Sequence, residues 1–223
     1  MAKNVMQGTD RRGLMLILSS PSGAGKTTLA RHILKVDQHI HTSISVTTRK
    51  KRPNEIDGVH YYFTDHANFK QMIRNGEFLE YAEIFGELYG TPRKFVDQEL
   101  LKGEDVLFDI DWQGNRQISA IAKEDVVSVF IFPPSKQELF NRLVKRAQDD
   151  ESTIQNRMDK ADDELSHWHE YDYSIINRDL VESLNKLLAI LRAERLKKAR
   201  RLGVTEFVQS LLTEKIDYIK VNK

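Results

Sequence analysis

Short apolar runs alternate with longer amphipathic segments along this chain. Leu14–Ser19 carries five consecutive apolar residues and no polar face, which predicts a buried strand. A Gly-rich turn follows, and then a helix over about Lys26–Val36. Val106–Ile110 predicts a second buried strand and Gln113–Ala122 a helix. Val126–Phe132 is a third strand, closed by Pro133-Pro134. Ser135 suits an N-cap, with Glu138 three residues on as its capping-box partner, opening a helix that runs to about Ala147. Tyr173–Ile176 is a fourth short strand, and Leu180–Arg201 a long final helix. Buried strands that alternate with helices imply an α/β fold: a parallel sheet wound by right-handed crossovers and flanked by helices.

Residues 43–93 break this rhythm. Ser43–Thr48, Val59–Phe63 and Phe78–Phe85 mix apolar and polar positions as half-exposed strands do, with one short helix, about Ala67–Asn75, among them. This predicts an inserted, mostly β subdomain. The polar stretch 145–153, with Asp149-Asp150-Glu151, suits a mobile surface segment between two helices.

Composition narrows the classes. The chain has 223 residues, enough for one large domain with insertions and too few for two full ones. Its 34 basic and 33 acidic residues give a net charge of +1, which argues against a general polyanion binder. Without cysteine, a disulfide scaffold, a zinc ribbon and a thiol nucleophile are excluded. The apolar run after Arg11-Arg12 is too short for a signal peptide, and no stretch is long enough to span a membrane. The expectation is a soluble, cytoplasmic protein without nucleic-acid or membrane partners.

The strongest local signal is Ser20-Pro21-Ser22-Gly23-Ala24-Gly25-Lys26-Thr27, placed between a buried strand and a helix. Gly23 and Gly25 let the backbone approach an anion with its N–H groups inward. The helix N-terminus adds a favourable partial charge. Lys26 can reach β- and γ-phosphates, and the Thr27 hydroxyl is placed to ligate Mg²⁺. Ser20 stands where the strict pattern has Gly. Such a loop implies a nucleoside triphosphate and leaves the acceptor open.

An ordered set of motifs speaks to the acceptor. Ser45-Val46-Thr47-Thr48-Arg49 precedes Arg52-Pro53, Glu55, Gly58 and Tyr61-Tyr62-Phe63. Phe78-Leu79-Glu80-Tyr81-Ala82, Tyr89-Gly90-Thr91 and Asp109-Ile110-Asp111-Trp112-Gln113-Gly114 follow. From about Gly13 to Arg195 the chain resembles the guanylate kinase family.

That resemblance implies a P-loop kinase domain over 13–195. Its core would be 13–42 and 94–195, its acceptor-binding insertion 43–93 and its lid about 145–153. A helical tail, 196–223, would follow. ATP would lie on Ser20–Thr27 and the adjoining Thr28, with Mg²⁺ as cofactor. Arg49 and Arg52, whose guanidinium forks suit bidentate phosphate contacts, would hold the GMP phosphate with Tyr61 and Tyr89. Glu80 would accept from the two donors of guanine, with Ser45 near O6 and Thr91 close to the base. Adenine would leave Glu80 buried and unpaired. Asp109 and Asp111 fall on one face at the end of their strand, where a parallel sheet gathers its ligands. Asp109 would serve the magnesium shell and Asp111 the acceptor nucleotide; the other reading is a capped turn. Arg146 and Arg157 match the lid arginines and would act with Lys26 on the transferring phosphoryl group. Lys145 and Ala147 stand where the family often has Gly.

Each residue alone carries a plainer alternative. Arg49 and Arg52 belong to a basic turn, Glu80 to a half-exposed strand, and the lid arginines to a charged helix surface. His39-Ile40-His41 and His167-Trp168-His169 suit surface or core roles better than a metal. The basic run at Arg195, Lys197, Lys198, Arg200 and Arg201 suits a helix C-terminus. Phe207, Leu211 and Leu212 predict a short tail helix packed on the body or on a partner, which leaves a homo-oligomer open. Three functions compete: phosphorylation of GMP (or dGMP) by ATP, a non-catalytic module of the same fold that binds phosphopeptides, and a kinase for another acceptor. Intact Gly25, Lys26 and Thr27 favour an enzyme; Glu80, Ser45 and Asp111 favour guanine.

Overall fold

The computed structural model describes residues 11–84, 86–146 and 151–214, without the side chains of Arg146, Glu151, Ser152 and Thr153. Strand β1 (Met15–Ser19) leads through the Gly-rich turn into α1 (Lys26–Val36) and β2 (Ile40–Thr42). The insertion comprises β3 (Val46–Thr47), β4 (Tyr62–Phe63), α2 (His66–Arg74), β5 (Phe78–Ile84) and β6 (Glu87–Pro92). The chain returns through α3 (Arg93–Leu101), β7 (Asp105–Asp109), α4 (Trp112–Ala122), β8 (Val126–Phe132), α5 (Lys136–Arg146) and α6 (Glu151–Ser166). It closes with β9 (Tyr173–Ile176), α7 (Leu180–Arg195) and α8 (Val204–Thr213).

The main sheet has the order β2-β7-β1-β8-β9, and each pairing is parallel. Strand β1 is buried throughout because both faces are covered. Leu14, Leu16 and Leu18 pack with Leu29 and Ile33 of α1 and Leu187 and Leu191 of α7. Met15 and Ile17 point the other way, against Val96 and Leu100 of α3 and Ile118 of α4. This alternation is the period of a strand. The chain steps from β1 to one edge, returns to β7, and then moves to β8 on the other side. That reversal opens a crevice at the carboxyl ends of β1 and β7, where open α/β sheets hold ligands.

The insertion forms its own sheet, β4-β3-β6-β5, around Val46, Phe69 and Phe78. A bulge between Phe78 and Glu80 shifts the register of β5 against β6. Phe78 therefore packs in the small core, while Leu79 joins the main one with Val96 and Phe108. The outer edge of β5 is tied to α4: the Gln117 side chain accepts from Tyr81 N at 3.1 Å and donates to Tyr81 O at 3.0 Å. The insertion is thus fixed to the body at the strand that carries Glu80.

Several boundaries differ from the sequence expectation. The final helix ends at Arg195, not Arg201, because Lys197 leaves helical geometry (φ −55, ψ 132) and a 3-10 turn follows at Lys198–Arg200. Strand β2, strand β6 and helix α3 were not read from the pattern; the two strands are short or carry Gly and Pro, and α3 opens directly from Pro92. Phe85 and residues 147–150, the middle of the expected lid, lie outside the described residues, as does the tail beyond 214. No described helix is long and apolar enough to cross a membrane.

Asp105 opens β7 at 0% exposure, a position the expected strand did not include. It accepts from Leu14 N (3.0 Å), Arg11 Nη1 (2.6 Å) and Arg195 Nε (2.7 Å). Arg195 also grips Asp37 at 2.7 and 3.0 Å, so this cation of the basic run joins α7 to the sheet rather than serving the helix dipole alone. Asp105→Asn would leave two guanidinium groups facing an amide. The expected loss is about 3 kcal/mol, the order found when one member of a buried pair is removed. Urea denaturation of the two proteins checks it.

Candidate active site

The turn after β1 is held open by its own packing. Gly23 and Gly25 lie at φ 96 and 104, in the region where only glycine is at ease. A Cβ on Gly25 would fall 2.3 Å from Asn177 Nδ2, and one on Gly23 would press on Leu139 and Leu143 of α5. The loop closes with Ala24 N donating to Pro21 O at 3.0 Å. Ser20, in place of the usual Gly, is buried and donates its hydroxyl to Pro21 O at 3.1 Å, so the loop accommodates it. Gly25, the N-cap of α1, has no side chain to cap the first turn, which leaves its N–H groups for an anion.

Lys26 and Thr27 meet Asp109 at the end of β7. Lys26 Nζ lies 2.6 Å from Asp109 Oδ1, and Thr27 Oγ1 donates to Oδ2 at 3.2 Å. With Ser20, Pro21, Ser22, Gly23, Gly25 and Glu164 they line a hollow of about 240 Å³. On the other side of the loop a second hollow is lined by Thr28, Arg142, Lys145, Asn177 and Arg178. Asn177, just beyond β9, was not singled out in the sequence. Its Nδ2 donates to Ala24 O at 2.8 Å and so fixes the loop. The signal was present: a polar residue at the carboxyl end of a short apolar strand.

In the insertion, three of the four expected phosphate contacts come together. The Arg49 guanidinium lies 5.4 Å from the centre of the Tyr61 ring, and Tyr61 meets Tyr89 edge-on at 6.1 Å. Arg49 is held by a two-pronged pair with Glu55, at 2.7 and 3.1 Å. Arg49 and the Arg52 backbone N–H together hold the half-buried Glu55 carboxyl down at about 2. Arg52 N donates to the same carboxylate at 2.8 Å, while the Arg52 residue stays exposed. Glu55 is therefore the organiser of this basic turn.

Glu80 and Thr91 also converge, with Thr91 Oγ1 donating to Glu80 Oε1 at 2.5 Å in a buried setting. Glu80 is 8% exposed. Burial pushes its carboxyl upward, the Thr91 bond opposes this, and the nearby Asp111 adds to the rise. Ser45 sits before β3, where its carbonyl accepts from Tyr62 N at 2.9 Å. Asp111 caps α4, accepting from Gln113 N and Gly114 N at 2.9 and 3.1 Å. The capped-turn reading of Asp111 is thus realised, yet its charge is felt at both Glu80 and Glu164. Arg157 lies on α6, and Arg146 ends α5 with its side chain outside the described residues.

The flanking histidines have structural partners. His167 stacks on Trp112 at 3.8 Å and meets Glu170 at 2.7 Å. His39 and His41 both reach Glu104, at 3.2 and 3.4 Å.

The sequence and the fold are similar to those of known proteins. A family model described as guanylate kinase matches residues 12–194. Guanylate kinase of Rhodopseudomonas palustris (strain BisB18) is 53% identical over 206 residues, 92% of this chain and 94% of that protein. Guanylate kinase of Paramagnetospirillum magneticum is 53% identical over 201 residues, 90% of this chain and 94% of that one. The crystal structure of guanylate kinase from Anaplasma phagocytophilum superposes with a TM-score of 0.73 at 38% identity, covering 93% of this chain and 99% of that one. These relatives are named as enzymes, so the non-catalytic module is set aside. A family model over most of the chain, relatives more than half identical and a superposable solved structure agree, and the chain belongs to the guanylate kinase family of nucleoside monophosphate kinases.

Proposed function

We propose that the chain transfers the γ-phosphate of ATP to GMP, and to dGMP, giving ADP and GDP or dGDP. One observation carries the choice of base. The buried Glu80 carboxylate has a neutral hydroxyl as its close partner, not a cation. It therefore keeps acceptor capacity for two more donors, and guanine offers N1–H and the 2-amino group side by side. Ser45 and Asp111 would complete the contacts to the acceptor nucleoside.

The acceptor phosphate would lie against Arg49, Tyr61 and Tyr89, with Arg52 joining from the rim. The donor triphosphate would follow the loop Ser20–Thr27, and its nucleoside the hollow beside Thr28, Asn177 and Arg178. Thr27 and Asp109 offer hard oxygen donors in a polar hollow, a set that fits Mg²⁺. When bound, Mg²⁺ supplies neutralising charge at the phosphate oxygens. Lys26 stabilises the charge that spreads as the phosphoryl group moves, joined by Arg146 of the lid, about 145–153, and by Arg157, which follows it on α6. No general base is needed, because a phosphate monoester is largely ionised near neutral pH. The kinase domain is taken as 13–195, with 43–93 as its acceptor-binding part. A homo-oligomer finds support in α8, where Phe207, Val208, Leu211 and Leu212 stay exposed; sedimentation velocity tests it.

Phosphorus NMR of an ATP and GMP mixture is the test of the reaction. GDP and ADP should appear in equal amounts. ADP with inorganic phosphate and no GDP would contradict the transfer. A second expectation concerns pH. The ionised Glu80 receives the guanine donors, so GMP affinity falls as that carboxyl takes up a proton. Because burial raises its pKa, the loss begins at higher pH than for an exposed glutamate. The KM for GMP measured across the acid range should rise accordingly, and a flat profile would remove Glu80 from the base contact.

A further inference from the structure

The hollow beneath the phosphate loop holds a carboxylate that the reading above leaves without a role. Glu164, on α6, lines it together with Ser20, Gly23, Lys26, Thr27 and Asp109. Its Oε2 is buried with no hydrogen-bond partner among the described residues. Burial pushes this carboxyl up to about 6; Lys26 and, more weakly, Lys160 pull it back, while Asp111 and Asp163 add to the rise. Asp109 shares the hollow, 2.6 Å from Lys26.

A site shaped for phosphate oxygens thus carries two carboxylates in its lining, with Lys26 the one cation in the lining described. Lys26 cannot neutralise both and also serve a triphosphate. Once it turns to the phosphates, Asp109 and Glu164 face further negative charge, which is strongly unfavourable in a confined space. A divalent cation resolves the conflict. Mg²⁺ keeps several of its waters when it binds phosphate and carboxylate groups, and each water is a donor for an acceptor such as the orphaned Oε2.

We propose that Glu164 is a positioning residue for the metal of the phosphate donor, its carboxylate accepting hydrogen bonds from metal-bound water while Asp109 and Thr27 serve the same ion. The inference rests on reading the loop as the site of ATP and Mg²⁺. Glu164 would make the hollow favourable to a metal-bound triphosphate and unfavourable to a bare one.

Mn²⁺ titrated into the protein in the presence of ADP, and followed by electron paramagnetic resonance, tests this. Glu164→Gln keeps the shape and removes the charge. It should weaken Mn²⁺ binding to the protein–ADP complex by about tenfold, the effect of losing an outer partner of a metal. ADP affinity in EDTA should be unchanged or tighter. Equal Mn²⁺ affinity in the two proteins overturns the inference. So does an equal loss of ADP affinity with and without metal, which would mark a role through Lys26 or the loop. Should thermal melting show that Glu164→Gln fails to fold, Glu164→Asp takes its place: it keeps the charge but draws the carboxylate back by one methylene, so Mn²⁺ binding should still weaken while ADP affinity in EDTA stays unchanged. If the unaltered protein forms no complex with Mn²⁺ and ADP, the reading of the loop itself fails, and with it the role of Glu164.

Discussion

Lys26→Met should reduce kcat by about a thousandfold, with far less change in the KM for GMP. Phosphoryl transfer gives the protein little covalent chemistry, so catalysis rests on charges aimed at the moving group. Removing one preorganised donor of that kind costs about 10²–10³ in kcat. Lys26 is well placed for this role, since its Nζ is held by Asp109 at 2.6 Å and by Ile110 O at 3.3 Å, at the mouth of the loop. Methionine keeps much of the length and loses the charge. The proposed GMP contacts are made by other residues, most of them in the insertion, and should be undisturbed. Steady-state rates under saturating ATP and GMP check this, and retained turnover would remove Lys26 from the transition state.

Glu80→Gln should act on the other substrate. An amide at this position would turn an N–H group toward the guanine donors and leave polar groups unpaired in a buried place. Such a mismatch costs about 2–3 kcal/mol, or roughly 30- to 150-fold in kcat/KM for GMP, and most of it should appear as a higher KM. The fold should not suffer. A carboxyl whose pKa is raised by folding adds stability at low pH and loses that contribution as pH rises through the folded value. Above that value the ionised Glu80 therefore disfavours the native state, and glutamine, which can keep the Thr91 bond, should there leave the melting temperature unchanged or higher. A KM for GMP equal to that of the unaltered protein would show that Glu80 does not read the base.

The two substitutions separate what was legible in the sequence from what was not. The main sheet could be read because β1, β7 and β8 are buried on both faces, and an unbroken apolar run of strand length between turn signals fits little else. The loop between β1 and α1 could be read because its glycines and Lys26 answer to one chemistry. Strand β6 was hidden, since Gly90 and Pro92 look like turn residues. Gly90 is there because a Cβ would press on Phe69 and Phe78, a contact no local pattern reveals. Asp105 and Arg195 are 90 positions apart and meet only in the fold. Glu55 was noticed as part of a motif, but its grip on Arg49 needed coordinates. Glu164 gave no signal, because an acid on a polar helix looks solvated until the loop is packed against it.

The acceptor is the centre of this account, and discrimination between bases tests it most directly. The measurement is the ratio of kcat/KM for GMP to that for AMP, from ADP release in a coupled assay at saturating ATP. A site that must hydrogen-bond its substrate rejects an analogue without those donors by about 10⁴–10⁵. The account predicts a ratio of that order, with dGMP on the side of GMP and with AMP, CMP and UMP on the other. A ratio near one would contradict it.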